Sequence, residues 1–137
     1  MKKVLKLKNN TDEISKLSVF LEEISGELNL DIELQMSLNL VLEEAVANVI
    51  MYAYPEPNTG DIEVYAELSQ GKIVFTIVDS GKEFDPTEGG NVDTEMAAEE
   101  RPIGGLGIFL IKNIMDEVEY NREDGKNKFV MKKNISK

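Results

Sequence analysis

Apolar and charged residues alternate from Lys3 to Lys8, the pattern of a strand with one buried face. After the capping side chains of Asn9-Asn10-Thr11-Asp12, apolar residues recur at spacings of three and four: Ile14, Leu17, Leu21, Ile24 and Leu28. That spacing predicts an amphipathic helix. Asp31 is a candidate N-cap for a longer helix with Leu34, Leu38, Val41, Leu42, Ala45 and Val49 as its buried stripe. It should run to about Tyr54, where Pro55 and Pro57 stop it. Asn58-Thr59-Gly60 reads as a turn. Asp61 to Leu68 and Lys72 to Val78 read as strands joined through Ser69-Gln70-Gly71, a hairpin.

Beyond Val78 the periodicity lapses. Asp79 to Gly105 carries five glycines and two prolines, and structureless runs of that length inside a domain tend to be lids or binding loops. Leu106 to Val118 is apolar on most sides and reads as a buried helix opening on Gly104-Gly105-Leu106-Gly107. A second hairpin follows, Val118 to Arg122 and Lys128 to Lys132 around Glu123-Asp124-Gly125-Lys126. The order predicts an α+β domain: a two-layer α/β sandwich whose mixed, mostly antiparallel sheet carries its helices on one face. At 137 residues the chain has the length of one domain, 1–137, without repeats or a linker.

Composition then narrows the chemistry. The chain has no His, Cys or Trp, so a Ser-His-Asp triad, a Cys nucleophile and thiolate or imidazole metal sites lack their parts. The net charge of −11 and the want of a basic patch argue against nucleic-acid phosphates as a partner. No secretory signal pattern and no run approaching a membrane span is expected, which suggests a cytoplasmic protein.

Three short constellations remain. On the second helix Glu44 and Asn48 lie about 40° apart at the border of the apolar stripe, whereas Glu43 falls on the solvated side. A carboxylate there can act as a general base and an amide oxygen can help hold Mg²⁺, although an ordinary polar helix border would look the same. Asp79-Ser80-Gly81 ends a strand with a carboxylate that can accept an N–H from a ligand base, or is a plain β-turn. Gly105-Leu106-Gly107-Ile108 opens a helix, where free backbone N–H groups suit a phosphate. It is neither a Walker sequence nor a Rossmann fingerprint.

Taken in order, Glu44-x-x-x-Asn48, a hairpin, Asp79-x-Gly81, a long loop and Gly105-x-Gly107 resemble the ATPase superfamily of gyrase, heat-shock chaperones, histidine kinases and mismatch-repair proteins (the Bergerat or GHKL fold). Glu43-Glu44-Ala45-Val46-Ala47-Asn48, Phe84-Asp85-Pro86, Gly104 to Lys112 and Met115-Asp116-Glu117-Val118-Glu119-Tyr120 are similar to the anti-sigma-factor serine kinases within it.

The resemblance implies ATP and Mg²⁺ as cofactors. It makes Glu44 the base, Asn48 the Mg²⁺ ligand, Asp79 the acceptor of the adenine amino group and Gly81 the space for the base. Gly105, Leu106, Gly107 and Ile108 would wrap the phosphates, and Arg101 would reach the γ-phosphate from a lid over about 82–104. The implied activity is a protein-serine/threonine kinase that binds a sigma factor and phosphorylates a STAS-type antagonist, with Lys16 nearest the place of the family's partner-gripping residue. A homodimer is in keeping with that branch.

Two departures stand out. Glu83 occupies the place of a second Gly, and Val130 falls where the last strand often presents a hydroxyl behind adenine. They leave room for an alternative, a nucleotide-binding switch that regulates a partner by binding alone. The lid also holds seven acidic residues from Glu83 to Glu100. It is therefore expected to be mobile without nucleotide and to repel free phosphate unless Mg²⁺ and Arg101 offset it.

Overall fold

The computed structural model describes residues 1–54, 59–87 and 105–135. Strand β1 (Lys2–Lys8) leads through a short 3-10 turn (Thr11–Ser15) into helices α1 (Lys16–Leu28) and α2 (Ile32–Asn48). The hairpin β2 (Asp61–Ser69) and β3 (Lys72–Asp79) follows, then α3 (Gly105–Ile114), and a second hairpin of β4 (Glu117–Glu123) and β5 (Lys126–Asn134). The strand order is β1-β2-β3-β5-β4. Every pairing is antiparallel, so the sheet is more regular than the mixed one the element order suggests.

Local chemistry sets these boundaries. Asp31 caps α2 by accepting from the Leu34 N–H at 2.8 Å, and Asn29 ends α1 in the left-handed conformation that asparagine tolerates. Both hairpins turn on two residues of positive φ, Gln70-Gly71 and Asp124-Gly125, which matches the right-handed twist of the flanking strands. The last helix is shorter than its apolar run predicts. It stops at Ile114, and Val118 pairs with Met131 inside β4. Asp116 makes the change of direction, its N–H donating to the Lys132 carbonyl while its carboxylate accepts from the Asn134 N–H.

The helices cover one sheet face. Ile62, Val64, Ala66, Ile73, Phe75, Ile77, Phe129 and Met131 point inward against Leu17, Leu21, Leu38, Val41, Leu42 and Ile111. Helix α2 lies centrally, in contact with both α1 and α3. The expected α-helix to Tyr54 becomes π-helical over Val49–Ala53, closed by a bond from the Tyr54 N–H to the Val49 carbonyl. By length and composition the run Ile32–Ala53 could cross a membrane, which corrects the expectation that no such run exists. Its inner face, however, fills the core of the sandwich.

Candidate functional site

The inward-facing row of β3, Ile73, Phe75 and Ile77, is apolar until its end, where Asp79 and Asn127 of β5 stand opposite one another. They are 3% and 4% exposed, so both must be satisfied by protein or ligand. Asp79 accepts through Oδ1 from the Asn127 side-chain amide at 2.8 Å and from the Gly81 N–H at 2.9 Å. Its Oδ2 makes no hydrogen bond among the described residues, and is the oxygen left for a ligand donor. Burial pushes the Asp79 carboxyl up from its ordinary value. The two hydrogen bonds and the Arg122 charge act against that rise.

The turn after Asp79 is clamped from two sides. The π-helical end of α2 supplies one: the Lys82 N–H donates to the Ala53 carbonyl and the Ser80 N–H to the Tyr54 hydroxyl, at 3.0 and 2.7 Å. Gly81 lies directly on this backbone, and a side chain there would run into the Ala53 carbonyl. A π-turn adds a residue to the helix end, and here it turns Ala53 and Tyr54 toward the turn. The second hairpin supplies the other side. Arg122 donates to the Gly81 carbonyl at 2.8 Å and Asn127 to the Lys82 carbonyl at 2.8 Å. Asn127 Oδ1 in turn accepts from the Tyr120 hydroxyl, from Arg122 and from the Phe84 N–H. Phe84 then stacks on Tyr52, ring centres 4.9 Å apart.

On α2, Glu44 and Asn48 share a side as the helical wheel predicts. Glu44 faces α3, where a Cβ built on Gly107 would meet its Oε2 at 2.5 Å. Only a glycine lets the start of α3 approach that carboxylate so closely. Asn48 closes α2, nearly buried, and its carboxamide makes no hydrogen bond among the described residues. Glu43 is partly covered and accepts from Asn39 at 2.9 Å. Ile108 is buried, while Gly105 and Leu106 form the first turn of α3. Along α2, therefore, Gly81 lies against Ala53 beyond the helix end, Asn48 closes the helix, and Glu44 one turn earlier lies against Gly107. Arg101, Gly104 and the lid residues 88–104 lie outside the described residues.

The remaining sequence candidates fare differently. Lys16 opens α1 as an exposed ammonium paired with Glu13 at 2.6 Å. Glu83 is exposed, and its charge acts on Tyr120. Val130 pairs with Thr76 and Glu119 on the free face of the sheet, bordering a surface depression with Glu117 and Lys132. It therefore cannot stand behind a ligand held by Asp79, which corrects that expectation. Asn127 occupies the place instead. Sequence reading misses it by starting the strand at Lys128, although Asn127, Phe129 and Met131 share one parity.

A family model described as a histidine kinase-like ATPase domain matches residues 7–133. The chain belongs to that family. Among curated proteins it is 37% identical over 91 residues to serine-protein kinase RsbW from Staphylococcus aureus strains RF122 and MRSA252. Those matches take in 63% of this chain, which spans only 57% of their length. Two solved structures share the fold. The RsbU and RsbW domains of a Mycobacterium tuberculosis protein superpose with a TM-score of 0.71 at 15% identity, over all of this chain and 33% of that one. A blue-light activated histidine kinase from Erythrobacter litoralis gives 0.59 at 13% identity, over 92% and 42%.

For this ATPase domain the Asn127 hub carries a prediction. Asn127→Leu leaves Asp79, the Lys82 carbonyl and the Tyr120 hydroxyl without their shared partner, a loss of about 2–3 kcal/mol for buried polar groups. The melting temperature should fall by several degrees, and Mg-ATP affinity by tenfold or more. Asn127→Asp keeps the acceptor bonds but sets a second carboxylate against Asp79, and should lose affinity more steeply as pH rises. Calorimetric titration of both variants checks this, and unchanged affinity in both would remove Asn127 from the site.

Proposed function

We propose that the chain binds Mg-ATP and transfers the γ-phosphoryl group to a serine of a STAS-type antagonist protein, acting in the cytoplasm as an anti-sigma regulatory factor that holds a sigma factor. The observation that carries the reading is the close seat of Glu44 against Gly107 at the start of α3, on the same helix whose end packs on the turn after the buried Asp79. The likeness to RsbW kinases in sequence supports the same activity, and the family supports ATP as donor.

In this reading adenine donates its amino N–H to Asp79 Oδ2 and lies above Gly81. The phosphates reach the first turn of α3, where the N–H groups of Gly105, Leu106 and Gly107 precede the first intrahelical bond and the Ile108 backbone follows them, and Arg101 adds a positive charge from the lid. Asn48 offers beside the phosphates a carboxamide oxygen that has no hydrogen-bond partner among the described residues, and Glu44 is kept as the base. One such oxygen suits Mg²⁺, which takes one or two protein oxygens and completes its shell with phosphate and water. When bound, the ion neutralises phosphate charge and polarises the γ-phosphorus.

Glu44 accepts the proton of the serine hydroxyl as Oγ attacks the γ-phosphorus. The new O–P bond forms as the bond to the bridging oxygen of ADP breaks, the geometry in which phosphoryl transfer proceeds. No step calls for His or Cys. The reading of a binding-only switch drew on Val130 and Glu83; Val130 lies on the free face of the sheet, which removes one of its two supports. Lys16 remains the proposed partner contact, its ammonium free to exchange Glu13 for a partner carboxylate.

Incubation with γ-labelled ATP and a STAS-type protein from the same source tests the reading. Label should move to one serine of the acceptor, with ADP formed in equal amount. Tight Mg-ATP binding without any transfer would overturn the kinase assignment and leave the switch.

A further inference from the structure

Besides its buried stripe, α2 carries a second apolar line that the described residues leave uncovered. Ile32, Met36 and Leu40 are 65%, 66% and 41% exposed. At steps of four residues they form one line, drifting about 40° and rising about 6 Å per step. Val19 of α1 and Phe109 of α3, the helices on either side, are exposed as well. Beside the line runs a groove between α1 and α2, bordered by Glu22, Ser25, Gly26, Asn29 and Gln35. Gly26 sits inside α1, where glycine destabilises a helix by about 1 kcal/mol relative to alanine. A Cβ there would meet nothing within 4 Å, so packing within the chain does not require the glycine.

Along α2 and the groove the charge has one sign, with the exposed Lys16 and Lys112 standing outside it, one turn from Val19 and Phe109. From Leu17 to Gly71 the sequence contains no Lys or Arg. Glu22, Glu33 and Glu43 frame the stripe and groove without an ion pair among the described residues. A second copy docked face to face would set these carboxylates against their equivalents, and an anionic lipid surface would be repelled in the same way. We propose that the outer face of α2, with the α1–α2 groove, docks an amphipathic helix of a partner protein whose apolar line is bordered by Lys or Arg. The apolar line supplies the affinity and the acidic frame selects and steers the partner. Further steps of four along the same line lead to Glu44 and Asn48, so the surface adjoins the proposed nucleotide site, and Met36 stands two steps, about 12 Å, from Glu44.

The test uses the full chain with labelled methyl groups and three probes. One is a synthetic helical peptide with Leu at i, i+4 and i+8 and flanking Lys; the second has Glu in place of those Lys; the third is a phosphatidylcholine/phosphatidylglycerol vesicle. The Lys peptide should shift the methyl resonances of Ile32, Met36 and Leu40 and bind at least tenfold more tightly than the Glu peptide. Met36→Lys should weaken it by about tenfold or more, with melting temperature and Mg-ATP affinity unchanged because the side chain is mostly exposed. Equal affinity for both peptides, shifts confined to other residues, or binding to the vesicle at these methyls would overturn the proposal. So would self-association that Met36→Lys dissolves, which would assign the face to a second copy.

Discussion

Asp79→Asn should abolish useful ATP binding while leaving the fold as stable as before or more stable. The substitution is nearly isosteric, and Asp79 makes both of its hydrogen bonds through one oxygen. An asparagine can keep both through its carbonyl. The atom replaced is the unpaired oxygen, and an NH2 group there faces the adenine amino group donor to donor. Losing one bond and burying two unpaired donors costs about 3 kcal/mol, or roughly 100-fold in affinity.

The stability side follows from the raised carboxyl of Asp79. A folded-state value above the unfolded one means that the native protein holds the proton more tightly. The stability this contributes is fully present below the ordinary value near 3.8, and is lost as pH rises through the folded value. At neutral pH the buried carboxylate is therefore a burden that Asn lacks. The difference in melting temperature should move in favour of the variant between pH 4 and pH 7. Calorimetric titration with Mg-ATP and thermal melts across that range check both halves. A variant that binds ATP within threefold of the parent, or melts well below it at pH 7, would show that Asp79 has another role.

Much of this site is legible in the sequence because its parts are tied to helix geometry. The 100° step alone puts Glu44 and Asn48 on one side of α2, whereas Glu43, expected on the solvated side, is half-buried and accepts from Asn39. The order of the three short boxes then identifies the fold. What escapes is set by contacts distant in sequence. Asn127 lies just past a two-residue turn, and the inward parity of β5 can be counted only once that turn is known to be Asp124-Gly125. A polar residue at such a boundary looks like turn decoration until its partner Asp79, on another hairpin, is in place. The π-turn at Val49–Ala53 is hidden for a similar reason. Its residues have ordinary helical character, and the bonds that accompany the extra residue come from Ser80 and Lys82. The end of α3 at Ile114 depends on Asp116 meeting β5, which no local pattern records.

Glu44→Gln is the second large expected effect, and it separates chemistry from binding. The amide keeps the size and polarity of the side chain but cannot take the proton of a serine hydroxyl. Loss of a positioned general base removes about 100- to 10,000-fold of rate, while Mg-ATP affinity should stay within a few-fold because adenine and phosphates are held elsewhere. Gly107→Ala provides the steric counterpart. The new methyl would fall 2.5 Å from Glu44 Oε2, and this oxygen ends a flexible side chain that can swing aside. The protein should therefore fold normally and lose transfer rate by displacing the base. By contrast, a methyl on Gly81 meets the fixed Ala53 backbone and should disturb the turn itself. Single-turnover transfer from labelled ATP, beside equilibrium titration of ATP, resolves the three. Full transfer by Glu44→Gln would show that this carboxylate is not the base. Normal transfer by Gly107→Ala would show that Glu44 does not need its close seat against α3.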